Sequence, residues 1–250
     1  MPGAGGKGLS HSASPVVSQH GQGSGAYGSR AGPVFYGGVV ATDGARETTA
    51  GAAIGVRAER SHDGTQIAAV AEVVAAAFGP AEPTIPALVV ALRSCGRYPG
   101  SPEPLSFVAE VESDVVGHVM LSLCHIDAWE QLVPALVLAP LAVRPDLQGR
   151  GVGSALVAFA LAAAQRAGAP AVILEGSPAY YGRFGFVAAE PLGFRRPSLR
   201  TPRPGFQVRR LAAYQPWMTG TVVYPAPFWE LDCVGFRDQA LVEQIEAEFG

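Results

Sequence analysis

Residues 141–154 read Leu-Ala-Val-Arg-Pro-Asp-Leu-Gln-Gly-Arg-Gly-Val-Gly-Ser, and the reading of this stretch decides the fold. Upstream, 134–143 is an apolar run of the β type; downstream, 152–167 is an apolar run of the helical type. Between them Gly149, Gly151 and Gly153 alternate with other residues. A strand that enters a helix through a Gly-rich turn leaves the first amides of that helix without partners, and the helix dipole favours an anion there. Glycine lets the anion approach because no Cβ intervenes. The turn therefore implies a bound phosphate or pyrophosphate. It is not a Walker loop, since no Gly-Lys-Ser/Thr follows and Lys7 is the one lysine of the chain. It is not a dinucleotide fingerprint either: the sixth position counted from Gly149 is Ser154, from Gly151 it is Leu156, and no repeated βαβ unit precedes it.

Composition narrows the function classes. The 250 residues are 48% hydrophobic with a formal net charge of −3, so there is no electrostatic footprint for nucleic acid. Cys95, Cys124 and Cys233 are an odd count at spacings that match no zinc or disulfide framework, which points to a reducing compartment and no metal. No uninterrupted apolar run reaches membrane-spanning length, and the N-terminus lacks a secretory apolar core. A cytoplasmic enzyme is the expectation, with no membrane or nucleic-acid partner. The basic residues are almost all Arg and Asn is absent, a bias that makes single arginines weak markers of function.

Residues 1–53 are rich in Gly, Ser, Ala and Thr without helical or strand period, and read as a disordered tail or an early start. Residues 54–60 read as a short strand. Ile67, Val70, Val74 and Phe78 fall at spacings of three and four, which predicts a helix over 66–78. Residues 79–83 interrupt it, 85–95 resume as a second helix, and 96–104 form a Pro/Gly-rich loop. Runs 105–112 and 115–126 flank Ser113-Asp114 as a hairpin. Residues 171–174 suit a buried parallel strand. Residues 191–204 should wrap the surface, 206–211 and 221–224 suit two further strands, and Leu241, Ile245 and Phe249 predict a terminal amphipathic helix. The pattern is an α/β chain with a mixed α+β sheet: a tail over 1–53, a domain over 54–190, and a C-terminal extension over 191–250 packed on it. The extension serves as plain cover, closes the substrate cleft, or makes a homodimer contact.

Gln148, Gly151 and Gly153 resemble the acyl-CoA signature Arg/Gln-x-x-Gly-x-Gly/Ala of the GNAT N-acetyltransferases. The resemblance runs upstream through residues 141–145. It also runs downstream to Ala-Tyr-Tyr-Gly-Arg-Phe-Gly-Phe at 179–186, which is similar to the family's second signature, with Tyr181 four residues before Gly185-Phe186. The wording of 178–186 most resembles the YhbS-like branch, and the likeness spans about 54–190. It implies the GNAT acyl-CoA N-acyltransferase fold and acetyl-CoA as cosubstrate.

Carried over, it implies that Leu141, Ala142 and Val143 offer a strand edge to pantetheine and that the amides of Gln148, Gly149, Arg150, Gly151, Val152, Gly153 and Ser154 hold the pyrophosphate. Arg144 and Arg150 either add charge there or are solvated turn residues. The Val143 N–H is the implied oxyanion donor and Tyr181 the implied acid for the leaving thiolate. Many family members carry an Asn after the fifth strand that holds pantetheine; this chain has none, so Ser177 is expected in its place. Glu175 ends its strand where a base would stand, or else caps the next helix. His125, Asp127 and Glu130 are lesser candidates, and His118 reads as a satisfied sheet histidine. The implied reaction is acetyl transfer to a primary amine of a small molecule or protein, by direct transfer in a ternary complex; the alternative is a non-catalytic acyl-CoA-binding module. The loop 79–104 is expected to line the acceptor pocket with Arg93, Arg97 and Tyr98, taking a weakly acidic or apolar small acceptor.

Overall fold

A computed structural model describes residues 53–249. The tail expected over 1–53 lies, apart from its last residue, outside the described residues. The described chain runs β1 Gly55–Ala58, α1 Gly64–Phe78, α2 Ile85–Arg93, β2 Leu105–Val111, β3 Asp114–Ala128, β4 Leu132–Val143, α3 Val152–Arg166, β5 Ala171–Glu175, α4 Pro178–Tyr181, β6 Val187–Ala188, β7 Phe206–Arg210, β8 Gly220–Val223, α5 Ala226–Glu230 and α6 Gln239–Phe249.

Local chemistry sets the boundaries. Asp63 caps α1, its Oδ1 accepting the amides of Thr65 at 3.0 Å and Gln66 at 3.4 Å. Val70, Val73 and Val74 form the buried stripe that α1 presses on the sheet. The β2–β3 hairpin turns one residue earlier than the sequence suggests, on Glu112 and Ser113, both at positive φ (52° and 75°). Two such residues match the right-handed twist of the flanking strands, and the polar side chains tolerate the conformation. β4 is buried along nearly its whole length because helices cover both faces of the sheet, which is why it reads as a continuous apolar run without alternation.

The mixed sheet has the order β1-β2-β3-β4-β5-β7-β6. The β4–β5 pair is parallel and its neighbours are antiparallel. β3 is long enough to carry two partners along one edge: β2 pairs with Asp114 to Leu121, and β8 with His125 to Ala128. Residues 206–210 and 220–223 therefore run within the sheet itself. One face packs against α1, α2 and α5. The other packs against α3 and α4, where Leu156, Val157, Ala160, Leu161 and Ala164 are buried at helical spacing. A buried Leu contributes about 1.5–3 kcal/mol, so this stripe anchors α3 and with it the turn that precedes it. No helix among the described residues is long and apolar enough to cross a membrane.

Candidate active site

The Gly-rich turn leaves β4 at Val143 and passes through a short 3₁₀ turn at Pro145–Leu147. Gly149 and Gly151 then adopt left-handed φ values of 73° and 89°, a conformation that costs an L side chain about 1–2 kcal/mol. Gly151 is the N-cap of α3 and supplies no side-chain cap. The first helical bond runs from the Ala155 amide to the Gly151 carbonyl at 3.0 Å, and none of the amides from 149 to 154 donates to a backbone carbonyl. They lie at the positive end of a helix whose first turn holds no acidic residue, an arrangement that favours an anion. Gly153 is required for a different reason. A Cβ there would stand 2.5 Å from the Tyr180 hydroxyl and 3.6 Å from Val143 Cγ2.

The polar side chains of the turn divide. Gln148 donates from Nε2 to the Val143 carbonyl at 3.1 Å, so its side chain ties the turn to the strand. Arg144 holds Asp146 through two hydrogen bonds of 2.7 and 3.0 Å. Arg150 is exposed and makes no ion pair among the described residues, which leaves it available to a phosphate.

Next to this turn the sheet opens. β4 and β5 pair only at Leu136 with Val172 and Val137 with Ile173, and beyond that point β5 pairs with β7 alone. The Arg144 amide donates to the Val116 carbonyl of β3 at 2.9 Å. Alternation then turns the peptide groups of Ala142 toward β3 and those of Leu141 and Val143 toward the gap. The Val143 carbonyl is taken by Gln148, while its N–H faces the gap. The gap is thus edged by strand donors and acceptors with no strand opposite, and it leads to the uncapped N-terminus of α3.

Two ionisable groups flank the gap from opposite faces. Tyr181, 1% exposed, sits in the α3 layer edge-on to Tyr180 and Phe186, with ring centroids 4.9 and 5.8 Å away. Glu175 closes β5; Ala171 and Ile173 face the α1/α2 layer, so alternation sends its carboxylate there too. There it lines a pocket with Ile85 and Leu88 of α2, Val137, Ala139 and Pro140 of β4, and Tyr224, Phe228 and Cys233. Burial, the strongest influence, raises the Glu175 carboxyl to about 7 against the opposing pull of the Tyr224 and Thr201 hydroxyls, the Gly235 amide and Arg200. The pull is incomplete. Glu175 Oε1, Thr201 Oγ1 and Tyr224 Oη are sealed from solvent, and none completes a well-formed hydrogen bond. Burial and the neighbouring Glu175 push the Tyr224 phenol well above its usual range, so it stays protonated.

Other sequence expectations are corrected. Ser177, whose residue type and place before Pro178 suit a side-chain cap of α4, occupies the N-cap but makes no capping bond; the amides of Tyr180 and Tyr181 go to its carbonyl. Nor is Glu175 the cap of that helix. Arg93 does not line the pocket beside Glu175: it bonds Glu59 Oε1 at 2.5 Å under α2. Arg97 bonds the Pro102 carbonyl of its own loop at 2.7 Å. The Tyr98 hydroxyl donates to the Gly168 carbonyl at 3.3 Å, past the end of α3 on the opposite face. His125 and Asp127 alternate with Cys124 and Ile126, which lie in the α1/α2 layer, so they point away from Glu175. Glu130 is exposed in the β3–β4 turn.

His118 is fully buried and bonded through Nε2 to Ser106 at 2.9 Å, with Nδ1 unpartnered. The Thr201, Tyr224, Phe228 and Cys233 contributions went unnoticed in the sequence. No local pattern marks them, because they reach the pocket only after the chain beyond β7 folds back along β3.

A model of the GNAT acetyltransferase domain matches residues 102–188. The Escherichia coli protein YjhQ, called an uncharacterized N-acetyltransferase, is 34% identical over 33% of this chain and 45% of its own length. YhbS of E. coli, described in the same words, is 36% identical over 40% of this chain and 59% of its own length. The chain thus spans about half the length of these curated relatives. A GNAT acetyltransferase from Brucella melitensis, solved with acetyl-CoA, is 30% identical with a TM-score of 0.54, over 70% of this chain and 98% of that one. The E. coli YhbS structure, solved with CoA, is 28% identical with a TM-score of 0.61, over 73% and 96%.

Proposed function

Because the chain belongs to the GNAT acetyltransferases, we propose that it transfers an acetyl group from acetyl-CoA to a primary amine, directly, with both substrates bound together. The observation that carries this reading is the gap between β4 and β5. It pairs an unopposed strand edge at Leu141 and Val143 with a helix N-terminus whose amides lack partners. A pantetheine arm adds to the edge as a strand would, and a pyrophosphate suits the amides from 149 to 154. Arg150 adds charge at the same end, Ala142 holds the strand to β3, and the Val152 side chain fixes the turn in the core. Ser177, at the far side of the gap, has a hydroxyl without a protein partner among the described residues. It takes the place of the Asn that many relatives use.

Acetyl-CoA supplies a thioester, an activated acyl group with a thiolate leaving group. The chain's residues supply the proton transfers. Glu175 accepts a proton from the incoming ammonium. In water the mismatch between a carboxyl and an amine of pKa about 10.4 would forbid this. In the apolar pocket burial raises the acid and lowers the ammonium, so both shifts narrow the gap. The Val143 N–H faces the position where a carbonyl oxygen gains negative charge, and a fixed donor there stabilises the transition state. Tyr181 protonates the departing sulfur from the other face of the sheet.

The test is thiol release with acetyl-CoA and a panel of amines. Saturable release that needs both substrates, with kcat reduced about 10–100-fold in Tyr181→Phe, supports the reading. CoA binding with no release under any amine, and no effect of Tyr181→Phe, replaces it with a binding module.

A further inference from the structure

Arg183 belongs to the Tyr-Tyr-Gly-Arg-Phe-Gly-Phe run at 180–186, and neither the core nor the proposed proton transfers use it. It is exposed and makes no ion pair among the described residues. Its position is nevertheless built. The guanidinium carbon lies over the Tyr180 ring, 4.3 Å from its centre, and 5.2 Å from the centre of Phe184. A ring quadrupole attracts a cation placed over its face. A guanidinium seated on a ring keeps N–H edges for an oxyanion that accepts two parallel bonds, which a phosphate does. The turn that carries Arg183 is fixed as well: Arg209 of β7 donates to the Phe184 carbonyl, and Gly185 follows at a φ of 77°. Tyr180 ties this platform to the Gly-rich turn. It is 9% exposed, and its hydroxyl fills the space that a Cβ on Gly153 would need. Arg183 therefore stands across one aromatic ring from the first turn of α3.

Resting on the reading of that turn as the seat of the CoA diphosphate, we propose that Arg183, held on Tyr180, binds the 3′-phosphate of the CoA ribose. The protein then discriminates CoA from its 3′-dephospho form. CoA carries three phosphate groups. The two of the diphosphate suit the amides from 149 to 154 together with Arg150. The third stands apart on the ribose and calls for a cation outside the turn. Arg144 is not that cation, because it is committed to Asp146 through two hydrogen bonds. Arg183 is uncommitted, and its rings hold it in place before any ligand arrives, so little side-chain freedom is lost when a phosphate takes its edge. If Arg183 only covered Tyr180 and Phe184, its stem would serve and its charge would be idle.

Calorimetric titration with CoA and with 3′-dephospho-CoA reads this without any turnover. The unmodified protein should bind CoA about 10-fold more tightly than the dephospho form, the size expected of one charge-assisted contact at an exposed site. Raising the salt concentration should shrink that preference, because surface charges are screened. Arg183→Gln should weaken CoA about 10-fold, leave dephospho-CoA unchanged and so abolish the preference. Arg183→Lys, a point charge without the planar fork, should keep part of it. Arg150→Gln should weaken both ligands alike. A preference that survives in a folded Arg183→Gln protein overturns the inference. An equal loss for both ligands in that variant overturns it too, and places Arg183 at the diphosphate or in the support of Tyr180. No preference in the unmodified protein overturns it while the diphosphate turn stands. Binding of neither ligand overturns the reading of the turn itself.

Discussion

Two glutamates are sealed within the α1/α2 side of this molecule, and their acidities diverge. Glu59, just past β1, sits under α2 and is drawn down to about 2. Glu175, at the end of β5, is driven up to about 7. Burial raises both and is the largest single influence on each. What differs is what replaces the lost water. Glu59 receives Arg93 on one oxygen and the Ser106 hydroxyl on the other, with His118 Nε2 3.5 Å away. Since Ser106 donates to Glu59, its oxygen accepts from His118, which fixes Nε2–H as the donor of a neutral imidazole. Burial lowers the His118 pKa and keeps it neutral. Glu175 has two hydroxyls nearby and no committed cation, so its charged form is short of partners. A carboxylate that is fully answered holds a fold together; one left partly unanswered beside a cleft keeps a proton acceptor poised near neutral pH.

The largest effect should follow from removing the second carboxylate. Glu175→Gln is expected to lower kcat/KM by about 10²–10⁴-fold, or about 3–5 kcal/mol of transition-state stabilisation, with the fold intact. The unmodified enzyme should show kcat/KM rising with pH through about 7, the range in which Glu175 loses its proton, and the variant should lose that limb. Stability should move the opposite way. The folded pKa lies above the ordinary carboxyl value of 4.5, so the folded state holds the proton more tightly and stability falls as pH rises from 4.5 to about 7. Denaturant titrations of both proteins across that window measure it, and a flat difference between them would contradict the assignment.

Glu59→Gln should show the converse pattern. It leaves Arg93 buried without its counter-charge, which costs about 3 kcal/mol in urea or thermal unfolding while turnover per folded molecule is kept. Here the folded pKa is depressed, so the stabilisation is complete above 4.5 and is lost as pH falls toward 2. Acid unfolding of the unmodified protein in that window, absent from Glu59→Gln, is the signature. A variant that unfolds at the same pH as its parent would show that Glu59 is not the group responsible.

These two sites also differ in how far sequence alone reveals them. The Gly-rich turn is legible because its requirements are local: Gly149 and Gly151 adopt positive φ, and Gly153 must admit a neighbour. The positions of Tyr181, one turn into α4, and of Glu175, at the end of β5, are legible because each sits beside an element end; the roles proposed for them rest on the resemblance and the geometry. The order of elements along the chain follows from apolar runs and turn residues; the sheet order, with β7 between β5 and β6 and β8 on β3, does not. Arg93 reads from the sequence as a pocket residue because it ends α2 beside the 96–104 loop, whereas it is committed to Glu59. Its partner stands 34 residues earlier, and burial of that pair is a tertiary fact. Thr201, Tyr224 and Phe228 were invisible for the same reason. Nothing in their own neighbourhoods marks them, and they acquire a role only when β8 docks on the distal half of β3 and carries Tyr224 to Glu175. Motifs of contiguous backbone are legible; partnerships assembled by long-range strand pairing are not.

The smallest effect tests the hydroxyls that half-answer Glu175. Tyr224→Phe removes one of the influences that draw the carboxyl down, so the acid limb of the kcat/KM profile should shift toward higher pH by under about one unit, an effect of about 1 kcal/mol. The plateau reached when Glu175 is ionised should be retained. Stability should hold or rise, because the Tyr224 hydroxyl is buried without a completed hydrogen bond and its removal ends that cost. Ser106→Ala in the other cluster has the opposite expectation: that hydroxyl is fully engaged between Glu59 and His118, so losing it should destabilise the fold and leave the pH profile of turnover in place. A loss of stability in Tyr224→Phe matching that in Ser106→Ala would mean that both carboxylates are equally well answered. The difference between structural and reactive burial would then have to come from somewhere other than their partners.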